Sequence, residues 1–304
     1  MDFSAVDMHQ FCPTVEGEEY VKNAEFAWPD GRRVAVVVSV LLETWSEGKS
    51  PSYFPRTTPL RAGFVDLAGI NWSRYGGNEG IWRLTRILSE LNVPATLFCN
   101  GRSAEVWPEA VANFVKSGRD LAGHGYLQDQ TLAYLSPEEE RATIKKTLDI
   151  LTKAGGRRPT GWVTPIYGQS EHTLDYLVQE KLAWCSDALD ASVPYRQNTQ
   201  SGSILMIPWS DFVDNRTLRT NPRNYFDVYK STLDYLYGCE PGSLINIGVH
   251  GHFGGRPLMA AVFREVLQYF QSHKDIWFAR HEEVANWLAE QKMENATYAS
   301  RFFS

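Results

Sequence analysis

The stretch Arg33-Val-Ala-Val-Val-Val-Ser-Val-Leu-Leu42 is an almost unbroken run of β-branched and aliphatic residues. Such a run is typical of a parallel strand that is buried on both faces, because it offers no alternating polar residues to face water. Parallel strands cannot be joined by tight hairpins and need long crossover connections, which are usually helical. The stretch therefore predicts an α/β protein in which strands alternate with helices.

The rest of the chain shows that alternation. Segments of helical periodicity separate further short apolar runs, which read as strands at 95–99, 120–122, 160–163, 182–186, 203–207, 243–249 and 276–278. The capping box at Ser136-Pro-Glu-Glu139 marks one clear helix start. Polar residues follow nearly every strand instead of gathering at one switch point. We therefore predict a single distorted (β/α) barrel of seven or eight strands.

The boundaries of this barrel follow from the first and last periodic segments. Residues 33–290 are predicted to form the barrel, with an N-terminal extension at 1–32 and a C-terminal tail at 291–304. The segment 43–77, rich in Pro, Gly and aromatic residues, is interpreted as a loop that covers the mouth. One continuous helix is predicted over 106–115.

Composition narrows the class of partner. The chain has 304 residues and a formal net charge of -6, which argues against nucleic acid or an anionic membrane as the main partner. The N-terminus has no apolar segment of a secretory signal, and the longest apolar run is too short to span a bilayer. Four scattered cysteines indicate neither a disulfide framework nor a cysteine metal site. We expect a cytoplasmic protein with a small-molecule substrate.

Candidate catalytic residues stand at the strand ends. In a barrel the carboxyl ends of parallel strands form one mouth, where active sites lie. Glu43, His124, His250 and His252 all follow predicted strands. We interpret the two late histidines as alternating across a strand end, with one side chain inward and one outward. The other four are expected to be solvated or to cap helices: His9, His172, His273 and His281.

His124 also begins a possible metal motif. A second histidine four residues later would allow both imidazoles to coordinate one metal ion, but Gln128 occupies that position. Glu43, His124 and Gln128 form the candidate metal set. The sequence leaves open whether such a site holds zinc or another divalent metal weakly, or works without metal.

Several motifs together resemble the polysaccharide deacetylase (NodB homology) family, and more narrowly its cytosolic allantoinase-like and peptidoglycan-deacetylase-like branch. The resemblance extends over about 28–288 and rests on these segments: 75–83, 95–101, Gly123-His-Gly-Tyr126, 158–162, Ser186-Asp187 with Pro194-Tyr195, and His250-Gly-His252 with Gly255-Arg-Pro257. It implies a distorted barrel that hydrolyses amide C–N bonds. It also implies a metal, usually zinc, which polarises the carbonyl and activates water.

The chain departs from the family pattern at four positions. Leu41 stands where the family has its base aspartate, and Glu43 where it has a metal aspartate. Gln128 replaces the second metal histidine, and Val163 replaces the arginine that orients the base. An amide oxygen is a weaker zinc donor than imidazole, so zinc affinity should fall. The joint loss of base and arginine indicates a rebuilt mechanism.

The resulting hypothesis is a hydrolase of non-peptide C–N bonds, acting on a small cyclic or N-acylated amide. Glu43 would be a ligand or the base, His124 would bind metal or polarise the carbonyl, and His250 or His252 would be the acid. We expect a set of aromatic residues and one carboxylate to contact the substrate: Trp45, Trp72, Tyr126, Trp162, Trp209 and Asp187. Asp187 could equally be a turn former.

Two alternatives remain for the function. The chain could be an oligosaccharide or polysaccharide N-deacetylase with a rebuilt metal site, or a pseudoenzyme that only binds a ligand. The resemblance also implies a homo-oligomer, a dimer or a tetramer.

Overall fold

The computed structural model describes residues 27–58, 60–210 and 212–291. Within these ranges it contains nine strands: β1 (Val34–Leu42), β2 (Thr96–Cys99), β3 (Asp120–Gly123), β4 (Gly161–Trp162), β5 (Trp184–Ala188), β6 (Tyr195–Thr199), β7 (Gly202–Pro208), β8 (Ser243–His250) and β9 (Ile276–Ala279). The helices are α1 (Leu67–Tyr75), α2 (Ile81–Glu90), α3 (Gly101–Val106), α4 (Pro108–Lys116), α5 (Pro137–Gly155), α6 (Thr173–Gln179), α7 (Arg223–Cys239), α8 (Pro257–Gln271) and α9 (His281–Ala289).

The strands form one mixed sheet in the order β6-β7-β5-β4-β3-β2-β1-β8. β8 pairs along nearly all of β1, while β9 pairs with the start of β1 and β2 with its end. All pairs are parallel except β6 with β7. The sheet curls into a distorted barrel that does not close between β7 and β8, where the Asn246 side chain donates to the Pro208 carbonyl at 3.2 Å. The predicted barrel is confirmed, with one strand more than expected.

The barrel has an inner and an outer apolar layer because side chains alternate along each strand. On β1, Ala35, Val37 and Leu41 pack inside, whereas the even-numbered valines pack against the surrounding helices. Trp28, from the predicted N-terminal extension, is buried and donates to the Ser243 carbonyl at 2.9 Å. Residues 1–26 of that extension, with His9, and residues 292–304 of the predicted tail lie outside the described residues.

Two predicted segments differ from the structure. The long loop is shorter than expected, because α1 and a single π-helical turn at Gly76–Gly80 occupy its second half. The helix predicted over 106–115 is instead two helices, broken at Trp107. A residue before proline is disfavoured in helical conformation, and Trp107 precedes Pro108. No helix of the described chain is long and apolar enough to cross a membrane.

Candidate active site

Glu43 lies at the centre of the barrel mouth. It follows Leu42 at the end of β1, and its odd number places it on the inward face with Leu41. Only 3% of its surface is exposed. A carboxylate this deeply buried must have ionic or hydrogen-bonding partners to remain charged.

Those partners are three histidines. His124 Nε2 lies 3.4 Å from Glu43 Oε1, and His250 Nε2 lies 3.7 Å from the same oxygen. His252 Nδ1 lies 3.6 Å from Oε2. All three imidazoles are buried. The structure thus brings together the four residues predicted as catalytic, which come from the ends of β1, β3 and β8.

The expectation that His250 and His252 point to opposite sides is wrong. Both rings face Glu43, with their centroids 5.3 Å apart. Residues two apart along extended backbone share a face, so the alternation that separates neighbours does not separate this pair. The expectation for His281 is also wrong. It is fully buried inside the barrel, where its Nδ1 lies 3.0 Å from Thr96 Oγ1.

In each imidazole, the ring nitrogen that does not face Glu43 contacts another residue, which holds the ring in place. His124 Nδ1 donates to the Val163 carbonyl at 2.9 Å, and His250 Nδ1 lies 2.5 Å from Asp214 Oδ1. His252 Nε2 lies 3.0 Å from the Tyr53 hydroxyl. The sequence pattern predicts neither Asp214 nor Tyr53 as a site residue, because both stand in connecting segments between strands and helices.

These contacts set the charges of the centre. Burial alone would raise the pKa of Glu43, but His250, a hydrogen bond to His124 and His252 lower it to about 2. Burial would lower the pKa of His250, yet Asp214 and Glu43 raise it to about 9. Burial lowers the pKa of His252 to about 4, against the opposing effect of Glu43. At neutral pH, Glu43 is therefore ionised, His250 is an imidazolium and His252 is neutral.

The residues present do not fit the zinc site that the family implies. Among the described residues, no three His, Cys, Asp or Glu side chains are grouped so that they could hold a metal ion. The three imidazoles surround the Glu43 carboxylate itself instead of a common empty point. Gln128 is buried, and its Oε1 has no hydrogen-bond partner, so an amide stands where the family has an imidazole ligand. We therefore derive no catalytic step through a metal.

A cleft of about 650 Å³ opens directly above Glu43. Trp45 and Tyr126, both predicted to contact the substrate, line it together with Trp107. The predicted wall residue Trp72 packs instead on the His252 ring, with centroids 4.9 Å apart. The cleft thus combines aromatic walls with an ionised carboxylate at its floor, as small-molecule sites commonly do.

Three other predicted substrate contacts lie away from this cleft. Trp162 is fully buried among residues of the outer layer, because its position on β4 points it away from the barrel interior. Trp209 packs inside the barrel, 5.4 Å from the Phe98 ring centroid. Asp187 accepts hydrogen bonds from Thr164 N at 2.7 Å and Thr164 Oγ1 at 2.6 Å. It therefore fixes the loop after β4 and does not face the cleft.

Comparison with known proteins agrees with this fold. Residues 73–183, which include His124 and Gln128, match the polysaccharide deacetylase family model. A peptidoglycan deacetylase of Helicobacter pylori is 19% identical over 254 residues, which cover 71% of this chain and 86% of that protein.

Solved structures extend the likeness to nearly the whole chain. A probable polysaccharide deacetylase from Pseudomonas aeruginosa PAO1 superposes with a TM-score of 0.78 at 28% identity, covering 88% of this chain and 95% of that one. Puue allantoinase gives a TM-score of 0.78 at 25% identity, covering 88% and 94%.

The fold and site define a distorted (β/α) barrel with a buried carboxylate–imidazole centre at its carboxyl-terminal mouth. The matches confirm the resemblance to the polysaccharide deacetylase family and support a deacetylase-family hydrolase.

Proposed function

We propose that this protein hydrolyses the C–N bond of an N-acyl amide, as a deacetylase whose proton transfers are carried by imidazoles. The observation that carries the proposal is the buried centre in which Glu43 contacts three histidines and Asp214 holds one of them. Two imidazoles, those of His124 and His250, supply the base and the acid that amide hydrolysis requires.

His124 is the base in this proposal. The Val163 carbonyl can only accept a hydrogen bond, so it keeps the imidazole proton on Nδ1. When Nε2 carries a proton it donates to Glu43 Oε1, so His124 acts as the base in the tautomer whose only proton is on Nδ1. The low pKa of Glu43 makes that carboxylate a poor base, but its charge stabilises the imidazolium that forms when His124 accepts a proton.

His250 is the acid. It carries two protons at neutral pH because it lies between the carboxylates of Asp214 and Glu43. Its Nδ1 proton is held by Asp214, which leaves the Nε2 proton for the leaving nitrogen. His252 is less suited to this role, because burial keeps it neutral and its Nε2 is engaged by Tyr53.

The atoms balance without an external reagent. A water oxygen attacks the acyl carbon while its proton passes to His124 Nε2, giving a tetrahedral intermediate. His250 Nε2 then protonates the nitrogen and the C–N bond breaks. The products are a carboxylic acid and an amine. Afterwards the proton on His124 returns to the solvent or to His250.

The test is to incubate the purified protein with chitin oligosaccharides and with peptidoglycan, and to measure acetate and free amine. We expect both products in equal amounts. Glu43→Gln and His250→Gln should each lower the rate at least a hundredfold, the lower range for acid–base catalysis. Intact binding with no product from any substrate would instead favour a pseudoenzyme.

A cyclic amide is the second candidate substrate. The likeness to Puue allantoinase, which spans 94% of that chain, favours it. The same proton transfers would open a ring, with acyl carbon and nitrogen remaining in one product. Parallel assays with hydantoin, allantoin and succinimide would distinguish the two candidates, since ring opening releases no acetate.

A further inference from the structure

Two helices direct arginines into the cleft above Glu43. Ile70, Ser73 and Arg74 line the cleft from α1, and their spacing places them on one helix face. Arg102 and Val106 line it from α3, four residues apart. The two guanidinium groups thus belong to separate walls of the same cleft.

The charge at the rim is predominantly positive. Lys49 lines the cleft beside the arginines, and Lys146 Nζ lies 3.4 Å from the ring centroid of the wall residue Tyr126. Three carboxylates partly offset these four cations. Glu105 accepts a hydrogen bond from Arg102 at 2.9 Å, Glu47 lines the rim, and Asp129 accepts hydrogen bonds from the lining residue Ser46.

Arg74 and Lys49 are the cations of the cleft lining that are available to a ligand. Both are exposed and neither forms an ion pair with another described residue. A planar guanidinium can bind a carboxylate through two parallel hydrogen bonds.

The floor of the cleft has the opposite sign. Glu43 lines the floor, and behind it the buried Asp214 adds a second carboxylate against the one imidazolium of His250. A ligand carboxylate would be repelled there and attracted to the rim. The electrostatic field of the cleft therefore favours one orientation of a bound ligand, with its neutral amide at the floor and its anionic group near Arg74.

We propose that the rim is a carboxylate-binding subsite, and that the substrate is an N-acyl amide carrying a carboxylate a few atoms from the scissile bond. Arg74 would bind that carboxylate, with Lys49 and Arg102 beside it. The position of the scissile amide near Glu43 rests on the proposed function. The carboxylate-binding subsite is inferred separately, from the charged and aromatic residues that line the cleft.

A matched pair of sugars tests the subsite. N-acetylmuramic acid differs from N-acetylglucosamine by an ether-linked lactyl group that carries a carboxylate. We expect kcat/KM to be at least tenfold higher for the acid, and calorimetry with the Glu43→Gln variant to show tighter binding of the acid. Arg74→Ala should remove this preference, and 0.5 M salt should weaken it. The control is Arg86→Ala, an exposed arginine on α2 that pairs with Glu90.

The outcomes separate this inference from the proposed function. Equal hydrolysis of both sugars, or a preference that survives Arg74→Ala, would overturn the subsite and leave the hydrolase intact. Selective binding of the acid that Arg74→Ala abolishes, without turnover of either sugar, would support the subsite and count against the hydrolase. Failure of both sugars to bind would overturn the subsite.

Discussion

The three imidazoles around Glu43 differ mainly in the chemical group that contacts the ring nitrogen not facing Glu43. A carbonyl holds His124, a carboxylate holds His250 and a hydroxyl holds His252. A carboxylate favours the imidazolium, whereas a carbonyl fixes only a tautomer. Asp214 therefore holds His250 as the acid from outside the cluster, while the Val163 carbonyl orients the His124 ring beside Glu43.

Asp214→Asn should shift the pH profile of activity. Asp214 raises the pKa of His250, so its loss lowers that pKa. The wild-type kcat/KM should fall as pH rises through about 9, where His250 loses the proton it donates. In the variant this alkaline fall should begin at lower pH. The measurement is kcat/KM between pH 6 and 10, with Asp227→Asn on the exposed face of α7 as the control. An unchanged alkaline limb would show that His250 is not the acid.

Tyr53→Phe should disturb His252 without removing a charged group. When the hydroxyl donates to His252 Nε2, the ring proton stays on Nδ1, where it points at Glu43 Oε2. We expect a roughly tenfold lower kcat with little change in KM, about the effect of one charge-assisted hydrogen bond. Nitrogen-15 NMR of His252 should show a mixture of tautomers in the variant and only the Nδ1–H form in the wild type. Tyr134→Phe, at an 87% exposed position, is the control. A single unchanged tautomer would refute this role.

The sequence predicted the central residues better than their partners. Glu43, His124, His250 and His252 follow strands, and parallel strands bring their carboxyl ends together. Asp214 lies in a short turn after β7, and Tyr53 in an irregular segment, so no periodicity relates them to the barrel mouth. Their positions depend on tertiary packing that local patterns do not encode.

At the scale of elements, the π-helical turn between α1 and α2 supports the segment after β8. A Cβ added to Gly80 would lie 1.9 Å from the Gly251 carbonyl oxygen, and one added to Gly76 would lie 3.0 Å from the His252 backbone nitrogen. Only glycine allows this close approach, because any side chain would collide with backbone. The turn therefore sets the position of His252 relative to Glu43.

Gly80→Ala should displace the 251–255 segment. Because the clash is with backbone, the segment must shift, and we expect a lower melting temperature together with a loss of activity of more than tenfold. Glu79→Ala, one residue earlier and exposed, is the control; its ion pair with Arg83 is worth little. Wild-type activity in a folded Gly80→Ala protein would contradict this view of the turn.

The loop after β4 depends on Asp187. Its buried carboxylate accepts two hydrogen bonds from Thr164, next to the Val163 carbonyl that holds His124. We expect Asp187→Ala to lower the free energy of unfolding by about 2 kcal/mol, because two buried donors lose their acceptor. Urea denaturation measures this, with the exposed Asp190→Ala as the control. If Asp187→Ala left the free energy of unfolding unchanged but raised KM, Asp187 would instead contact the substrate, as the sequence predicts.

Elements with strong patterns were predicted and weakly patterned ones were missed. α5 was predicted from its capping box, which the structure confirms at Ser136. α1 buries only Gly69 and Ser73, so it shows no apolar periodicity. β6 is an edge strand without a fully buried residue, and its polar sequence reads as a loop.

At the scale of the whole molecule, the incomplete barrel is joined across its gap by polar groups. Asn246 on β8 donates to the Pro208 carbonyl and accepts from Ser39 Oγ at 2.6 Å, which ties β1, β7 and β8 together below the site. His281 lies in the same buried network, 3.4 Å from Ser39 Oγ. A satisfied polar network inside the barrel gives the site a rigid base, which suits a centre that relies on fixed hydrogen bonds.

The most direct test of the account is the turnover of metal-stripped protein on a substrate it deacetylates, measured with and without added zinc. If imidazoles carry the proton transfers, the protein should keep its full rate after exhaustive chelation, zinc should not raise that rate, and His250→Gln should abolish it under both conditions. Activity that disappears on chelation and returns with zinc would contradict the central claim.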